Sequence, residues 1–169
     1  AAALGATGQV VVLGAVDGEL ENDRTTRSAL ARVIRDLQPD VLLGHDPWKR
    51  YRIHPDHRAA GFLACDGIVA ARDPHFFPEH DVEPWRPSTL LLFEADEPDH
   101  IEDVTHWVEA KLNALECHES QFETTMFKDL GEVASEREAF RARERELTAA
   151  MGEPAGFAHG EAFKLVDDL

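Results

Sequence analysis

Two histidines and an aspartate lie close together in the stretch His-Pro-Asp-His, at positions 54 to 57. Imidazole nitrogens and carboxylates are the groups that bind zinc or transfer protons in hydrolytic sites. If Pro55 opens a helix, His54 and His57 stand three residues apart and point to one side. Asp56 is then rotated by about 100° from His57 and must have another role. The spacing indicates that the two histidines share one task, as metal ligands or as an acid/base pair.

A purely structural interpretation explains part of this pattern. Asp56 in a first helical turn complements the helix dipole, and His54 can simply flank the helix N-terminus. Two histidines at that place are not explained, because a cation at a helix N-terminus is mildly unfavourable. A catalytic zinc normally needs three protein ligands and an open position for water, which four adjacent residues cannot supply. Further ligands must come from elsewhere in the fold.

The elements before the motif follow the order strand, helix, strand, which is typical of a parallel-sheet unit. The apolar run at residues 10–13 predicts a buried strand, and "DVLLGHDP" predicts another. A helix between them is predicted from apolar residues at helical spacing, namely Leu30, Val33, Ile34 and Leu37. Its N-terminal cap is expected among Thr25, Thr26 and Ser28. The motif therefore lies where a strand passes into a helix, at the sheet edge that binds ligands in open α/β folds.

Downstream of the motif, a helix starting near Pro55 presents one face of small residues to a sheet. "STLLLFEA" predicts a third strand and "HIEDVT" a short fourth one. Apolar spacing predicts further helices over about residues 104–115 and 132–151, and "EAFKLV" is either a last strand or a tail. The predicted fold class is α/β.

The amino-acid composition limits the kinds of partner that this chain can bind. The 169 residues include 33 acidic and 17 basic side chains, and this net charge of -16 repels nucleic acid and anionic membranes. No apolar run approaches the length of a membrane span. The two cysteines, Cys65 and Cys117, are predicted to be reduced thiols within helices, which favours a cytoplasmic location. Basic residues near the motif, within 48–58, can orient a polar substrate. The oligomeric state stays unknown from the sequence.

The segment "DVLLGHDPWKRYRIHPDHRAAG", preceded by "VVVLGAVDGEL" and followed by "KLNALECHESQ", resembles the LmbE/PIG-L family of zinc-dependent N-deacetylases. The resemblance spreads over residues 1 to about 125, and His-Pro-Asp-His in its strand context is the specific part. It implies a Rossmann-like three-layer fold with a mostly parallel sheet. It also implies a Zn²⁺ cofactor and a small N-acyl amino sugar of the N-acetylglucosamine type as substrate.

The resemblance also implies roles for the motif residues. His57 corresponds to a zinc ligand. His54 corresponds to the acid that stabilises the transition state and protonates the leaving amine, and Asp56 would orient or tune His54.

Three residues outside the motif complete the predicted site. Asp17 in "VDGEL" is expected to bind sugar hydroxyls, and a turn-forming Asp-Gly is the structural alternative. His45 and Asp46 flank the site at the end of the second predicted strand, where they are expected to support its ligands.

A first family motif, Ala-His-Pro-Asp-Asp-Glu, supplies two further zinc ligands and a general base, and this sequence does not contain it. We therefore expect residues 1–169 to form one LmbE/PIG-L-like domain that lacks the N-terminal strand and helix of the family. Residues 132–169 are expected to be a C-terminal helical extension. The activity of this chain by itself stays open.

Two other functions stay open at this point. A non-catalytic carbohydrate-binding module, or pseudoenzyme, would keep the fold without the metal. A different metallohydrolase would take its remaining ligands from His45, Asp46 and His75.

Overall fold

The computed structural model describes residues 1–8, 10–121 and 133–169, and it has the predicted α/β architecture. Its helices are α1 (Arg24–Leu37), α2 (Pro55–Arg72), α3 (Val108–Glu116) and α4 (Val133–Gly152). Its strands are β1 (Val41–His45), β2 (Thr89–Phe93), β3 (His100–Asp103) and β4 (Gly160–Val166), in the sheet order β1-β2-β4-β3. Short 3-10 helices occupy Ala2–Leu4, Pro78–His80, Glu119–Gln121 and Glu153–Ala155. Within the described ranges, every helix is too short or too polar to cross a bilayer.

The chain divides into two compact units, and the candidate site belongs to one of them. That unit consists of Val11–His100 and Ala162–Leu169. In it, β1 and β2 run parallel, with His45 opposite Phe93 at their carboxyl ends. β2 pairs with β4 in the antiparallel sense, so the sheet is mixed.

Helices α1 and α2 supply most of the apolar core of this unit. Its buried members are Ala31, Ile34, Ile68, Ala70, Ala71, Phe77, Leu90, Leu92 and Leu169. The start of α2 also lies close to the end of β1, because Gly61 lets the two backbones approach. A Cβ atom on Gly61 would lie 2.5 Å from the carbonyl oxygen of His45 and 2.9 Å from Pro47. This close approach holds the His-Pro-Asp-His motif beside His45.

Two local predictions were wrong. Residues 10–13 form no strand, and Val12 is 82% exposed. A strand is stable only where a neighbour pairs with it, and in the described part of the chain no strand pairing reaches residues 10–13. The cap of α1 is Asp23, not a hydroxyl residue. Its carboxylate accepts a hydrogen bond from the Thr26 backbone N–H in a capping box, because aspartate one residue before the helix serves as well as serine.

The second unit consists of Ala1–Val10 and Ile101–Glu161. Here α3 buries Val108 and Leu112, and Glu109 on α3 forms ion pairs with Arg141 and Arg145 of α4. The segment predicted as a helical extension contains α4 and then β4, so "EAFKLV" lies in a strand. The predicted start of that extension, Glu132, lies outside the described residues.

Candidate metal-binding and catalytic site

The His-Pro-Asp-His motif forms the first turn of α2, as the sequence predicted. Pro55 is the first helical residue and His54 is the N-cap. The His54 Nδ1 atom accepts a hydrogen bond from the Asp56 backbone N–H at 3.2 Å. A neutral imidazole carries one proton, so this hydrogen bond leaves the proton on Nε2. His54 therefore presents a hydrogen-bond donor away from the helix.

Three imidazole rings stack in a row at the carboxyl end of β1. The centroids of His54 and His57 are 4.9 Å apart, and those of His57 and His45 are 4.3 Å apart with planes only 14° from parallel. His45 also packs against Phe93, the neighbouring residue on β2. The structure thus brings together the three histidines that the sequence placed in or beside the site.

Asp56 lies in the motif but faces the chain segment that precedes α1. Its carboxylate accepts hydrogen bonds from the backbone N–H groups of Gly18 at 2.7 Å and Leu20 at 3.3 Å. It therefore holds the "DGEL" loop on the start of α2. The role of Asp56 in tuning His54 stays a prediction.

Asp17 lies on that same loop, with a largely exposed side chain. Its Oδ1 atom is 3.7 Å from the His54 Nε2 atom. This carboxylate is therefore next to the proton-bearing nitrogen and is open to a ligand. Its predicted contact with sugar hydroxyls stays a prediction.

Asp46 follows His45 and is one of the few buried polar residues of the described chain. Its carboxylate accepts hydrogen bonds from the backbone N–H groups of Trp48 at 2.9 Å and Asp96 at 3.0 Å. Asp46 thus fastens the loops that follow β1 and β2 to each other. This arrangement fixes the start of the loop between β1 and the motif.

The structure adds one acidic residue that sequence reasoning missed. The ligand atoms of His45, His57 and Glu94 lie within 4.8 Å of one another. Glu94 directly follows β2, and the parallel register sets the end of β2 beside His45. A carboxylate immediately after a strand that neighbours β1 was the signal available in the sequence. Glu94 has φ +53°, a left-handed backbone conformation that is uncommon outside glycine, asparagine and aspartate.

Arg52 is the second residue that was missed, and it contacts all three of these side chains. Its Nη1 atom is 2.9 Å from His45 Nδ1, 3.2 Å from His57 Nδ1 and 2.8 Å from Glu94 Oε2. The Arg52 side chain is only 6% exposed. Its position could not be read from the sequence, because nothing in the loop from Asp46 to Ile53 fixes where a long side chain points.

The charges in this cluster shift two pKa values. Burial lowers the pKa of His45, and the neighbouring His57 and Arg52 lower it further. For Glu94, burial acts to raise the pKa, but the hydrogen bond and charge of Arg52 outweigh it and lower the pKa. The two effects favour a neutral imidazole and an ionised carboxylate. These are the protonation states that bind a metal ion.

The donor set fits zinc in type. Two imidazoles and a carboxylate form one of the common three-ligand sets of catalytic zinc sites. Ligands of a tetrahedral zinc lie roughly 3.4 Å apart, given zinc–ligand bonds of about 2.0 to 2.1 Å. The widest separation in the cluster would therefore contract by up to about 1.4 Å, and the Arg52 Nη1 atom would have to leave, whereas His45 Nδ1 and Glu94 Oε2 are already 3.4 Å apart. The predicted roles of His57 as a metal ligand and of His45 as a supporting residue stay predictions, although both lie in the cluster. Asp46 and His75 are not among the clustered residues.

The fold and this cluster define an α/β domain with a histidine-rich site where two parallel strands end. Residues 1–67 match the family model described as PIG-L: GlcNAc-PI de-N-acetylase, so the predicted resemblance to the LmbE/PIG-L family is confirmed. A diacetylchitobiose deacetylase from Thermococcus kodakarensis is 35% identical over 109 residues, covering 63% of this chain and 41% of that protein. A probable N-acetyl-alpha-D-glucosaminyl L-malate deacetylase 2 from Bacillus anthracis is 27% identical over 113 residues, covering 63% of this chain and 45% of the relative.

A solved structure of a deacetylase is also similar to this chain. The N,N'-diacetylchitobiose deacetylase from Pyrococcus horikoshii, in complex with its inhibitor MPG, aligns with a TM-score of 0.77 and 31% identity. That alignment covers 92% of this chain and 56% of the Pyrococcus chain. The chain therefore spans about half the length of the relatives that it matches.

Proposed function

We propose that this chain belongs to a zinc-dependent hydrolase that removes an acyl group from N-acetylglucosamine-type amides. The observation that carries this proposal is the convergence of His54, His57, His45 and Glu94 at the carboxyl ends of two parallel strands. The relatives named as deacetylases of diacetylchitobiose support the choice of substrate class. The general base and any further metal ligands are not assigned to residues of this chain.

His57 and His54 would have different roles, metal binding for His57 and proton donation for His54. His57 would hold the metal through one of its imidazole nitrogens, within the cluster that it forms with His45 and Glu94. His54 would keep its proton on Nε2, because its Nδ1 is occupied by the Asp56 N–H. From that position it would donate a hydrogen bond to the amide oxygen as charge develops, and then a proton to the leaving amine.

The loop that contains Asp17 would bind the sugar. Asp56 fixes the backbone of Gly18 and Leu20 and thereby places the Asp17 carboxylate 3.7 Å from His54 Nε2. A sugar hydroxyl bound to Asp17 would lie near the proton donor. Bound zinc would supply an activated water and polarise the amide carbonyl.

A small, polar amino sugar in the cytoplasm is the partner that we propose. Both cysteines are free thiols, in keeping with a reducing compartment. The net charge of -16 disfavours nucleic acid and anionic membranes.

One observation favours a second candidate, a carbohydrate-binding pseudoenzyme. The Arg52 guanidinium already contacts each of the three clustered donors. A domain that keeps a fixed arginine there would retain the fold and the sugar loop without a metal. Zinc binding therefore discriminates between the two candidates.

The roles of the two motif histidines can be tested by separating metal content from turnover. His57→Ala should lose bound zinc and deacetylase activity together. His54→Ala should keep zinc while kcat falls by about 10² to 10⁴, the range for loss of general-acid and oxyanion assistance. His75→Ala is the control, because His75 is exposed and lies outside the cluster. Loss of zinc in His54→Ala with retention in His57→Ala would reverse the assignment.

A further inference from the structure

Arg52 occupies the centre of the three-donor cluster. One nitrogen, Nη1, lies within 3.2 Å of His45 Nδ1, His57 Nδ1 and Glu94 Oε2. The side chain is almost completely buried, although it belongs to a loop whose neighbours Tyr51 and Ile53 are 95% and 94% exposed. The guanidinium of Arg52 therefore lies inside the cluster, although the neighbouring residues of its loop are exposed.

The hydrogen bonds to Arg52 define which imidazole atoms carry lone pairs. A guanidinium can only donate hydrogen bonds, so the Nδ1 atoms of His45 and His57 must accept them. Glu94 likewise accepts as a carboxylate. A divalent metal in this cluster would need one ligand atom from each of the same three side chains, His45, His57 and Glu94. Guanidinium and metal therefore compete for the same three side chains.

Arg52 satisfies this set incompletely. Its Nη1 atom carries two hydrogens, and three acceptors surround it, so one acceptor is left with a shared or bent hydrogen bond. Its Nε atom is buried with no hydrogen-bond partner in the described part of the chain. An unpartnered buried donor destabilises the arrangement, especially on a charged group. A divalent ion, which binds three ligands at once, has neither defect.

We propose that Arg52 is the resident cation of this site and sets its metal affinity, so that zinc enters only as the guanidinium leaves. The inference rests on the proposed metal site. It makes Arg52 a determinant of metal affinity that is not itself a ligand. It also joins two states of one domain, with Arg52 in the cluster when zinc is scarce and metal there when zinc is abundant.

The direct test is zinc titration of the chelator-treated protein by calorimetry. Arg52→Met keeps an unbranched apolar stem without the charge and should bind zinc about tenfold more tightly or better, because the metal no longer displaces a nearby cation. Arg50→Met is the matched control from the same loop, since Arg50 is exposed and forms its ion pair with Asp96 outside the cluster. Its zinc affinity should stay within about twofold of the parent protein.

A second measurement is made on the parent protein. In ¹H–¹⁵N spectra of the parent protein, the Arg52 Nε–H signal, assigned with Arg52→Lys, should shift on addition of one equivalent of zinc. An unshifted signal in zinc-saturated protein would overturn the inference even if Arg52→Met failed to fold. Folded Arg52→Met that binds zinc no more tightly than the parent protein would also overturn the inference. If neither protein bound zinc, the metal site itself would be wrong as well, which separates failure of the proposed function from failure of the Arg52 inference.

Discussion

The imidazole of His57, in the first turn of α2, stacks on the imidazole of His45 at the end of β1, with centroids 4.3 Å apart and planes 14° from parallel. This relationship depends on how closely the α2 backbone approaches β1 at Gly61. A Cβ atom there would lie 2.5 Å from the His45 carbonyl oxygen, which is part of the backbone and cannot turn aside. The stacking is thus a consequence of a glycine four residues beyond His57.

Gly61→Ala should separate the two rings and destabilise the fold. We expect a loss of about 1 to 3 kcal/mol in the free energy of unfolding, the usual cost of overpacking, measured by urea denaturation. Gly67→Ala is the control from the same helix. Its Cβ would lie 2.8 Å from the end of the Leu30 side chain, which can rotate away, so the loss should be smaller. Equal losses in both variants would contradict the role given to Gly61.

Asp56→Ala should release the loop that contains Asp17. The carboxylate of Asp56 accepts hydrogen bonds from the Gly18 and Leu20 backbone N–H groups, and alanine cannot replace them. Backbone amides at these two positions should exchange with deuterium faster, by roughly a factor of 5 to 30 for the loss of about 1 to 2 kcal/mol of local stability.

The exposed Glu19 in the same loop provides the comparison. Glu19→Gln should leave amide exchange in the loop unchanged. Exchange in Asp56→Ala that matches the parent protein would show that other contacts hold the loop.

Arg35→Met should destabilise the unit that contains the site. The buried Arg35 guanidinium donates hydrogen bonds to carbonyl groups at and beyond the end of α2, those of Ala70, Ala71, Asp73, Phe76 and Phe77. Without it all five carbonyls lose a charged donor, and those of Ala71, Asp73 and Phe77 keep only a backbone N–H donor, at a cost of about 3 kcal/mol. Arg32→Met removes a partly exposed ion pair with Asp36 and should cost under about 1 kcal/mol. Thermal or urea unfolding of the two variants provides the measurement, and similar losses would show that the Arg35 hydrogen bonds do not stabilise this unit.

The two thiols should differ in reactivity. Burial, followed by the charge of Asp66, raises the pKa of Cys65 to about 11, whereas Cys117 is exposed. The thiolate is the reactive form, so at pH 8 Cys65 should be modified much more slowly than Cys117 by a disulfide reagent. Below pH 11 only a minor fraction of Cys65 is thiolate, and that fraction increases about tenfold per pH unit. The rate of Cys65 modification should therefore increase by the same factor. In Cys117→Ser, rapid modification at pH 8 would contradict the burial of Cys65.

The order of elements around the site was predictable because each has a strong local signal. The apolar run of β1 and the proline at the start of α2 placed His45, His54 and His57 at one sheet edge from the sequence alone. Glu94 and Arg52 were not found, since their positions depend on strand register and on the path of one long side chain. Residues 10–13 were predicted as a strand on local composition, but strand formation depends on a pairing partner.

The proposed function requires that the clustered histidines form a metal-dependent amide-hydrolysing site. Its most direct test measures acetate release from an N-acetylglucosamine-type amide by zinc-loaded protein, by the same protein after chelation, and after zinc is restored. We expect acetate release that is lost on chelation, regained with zinc and abolished in His57→Ala. No acetate release from the zinc-loaded protein, or release that survives both chelation and His57→Ala, would contradict it.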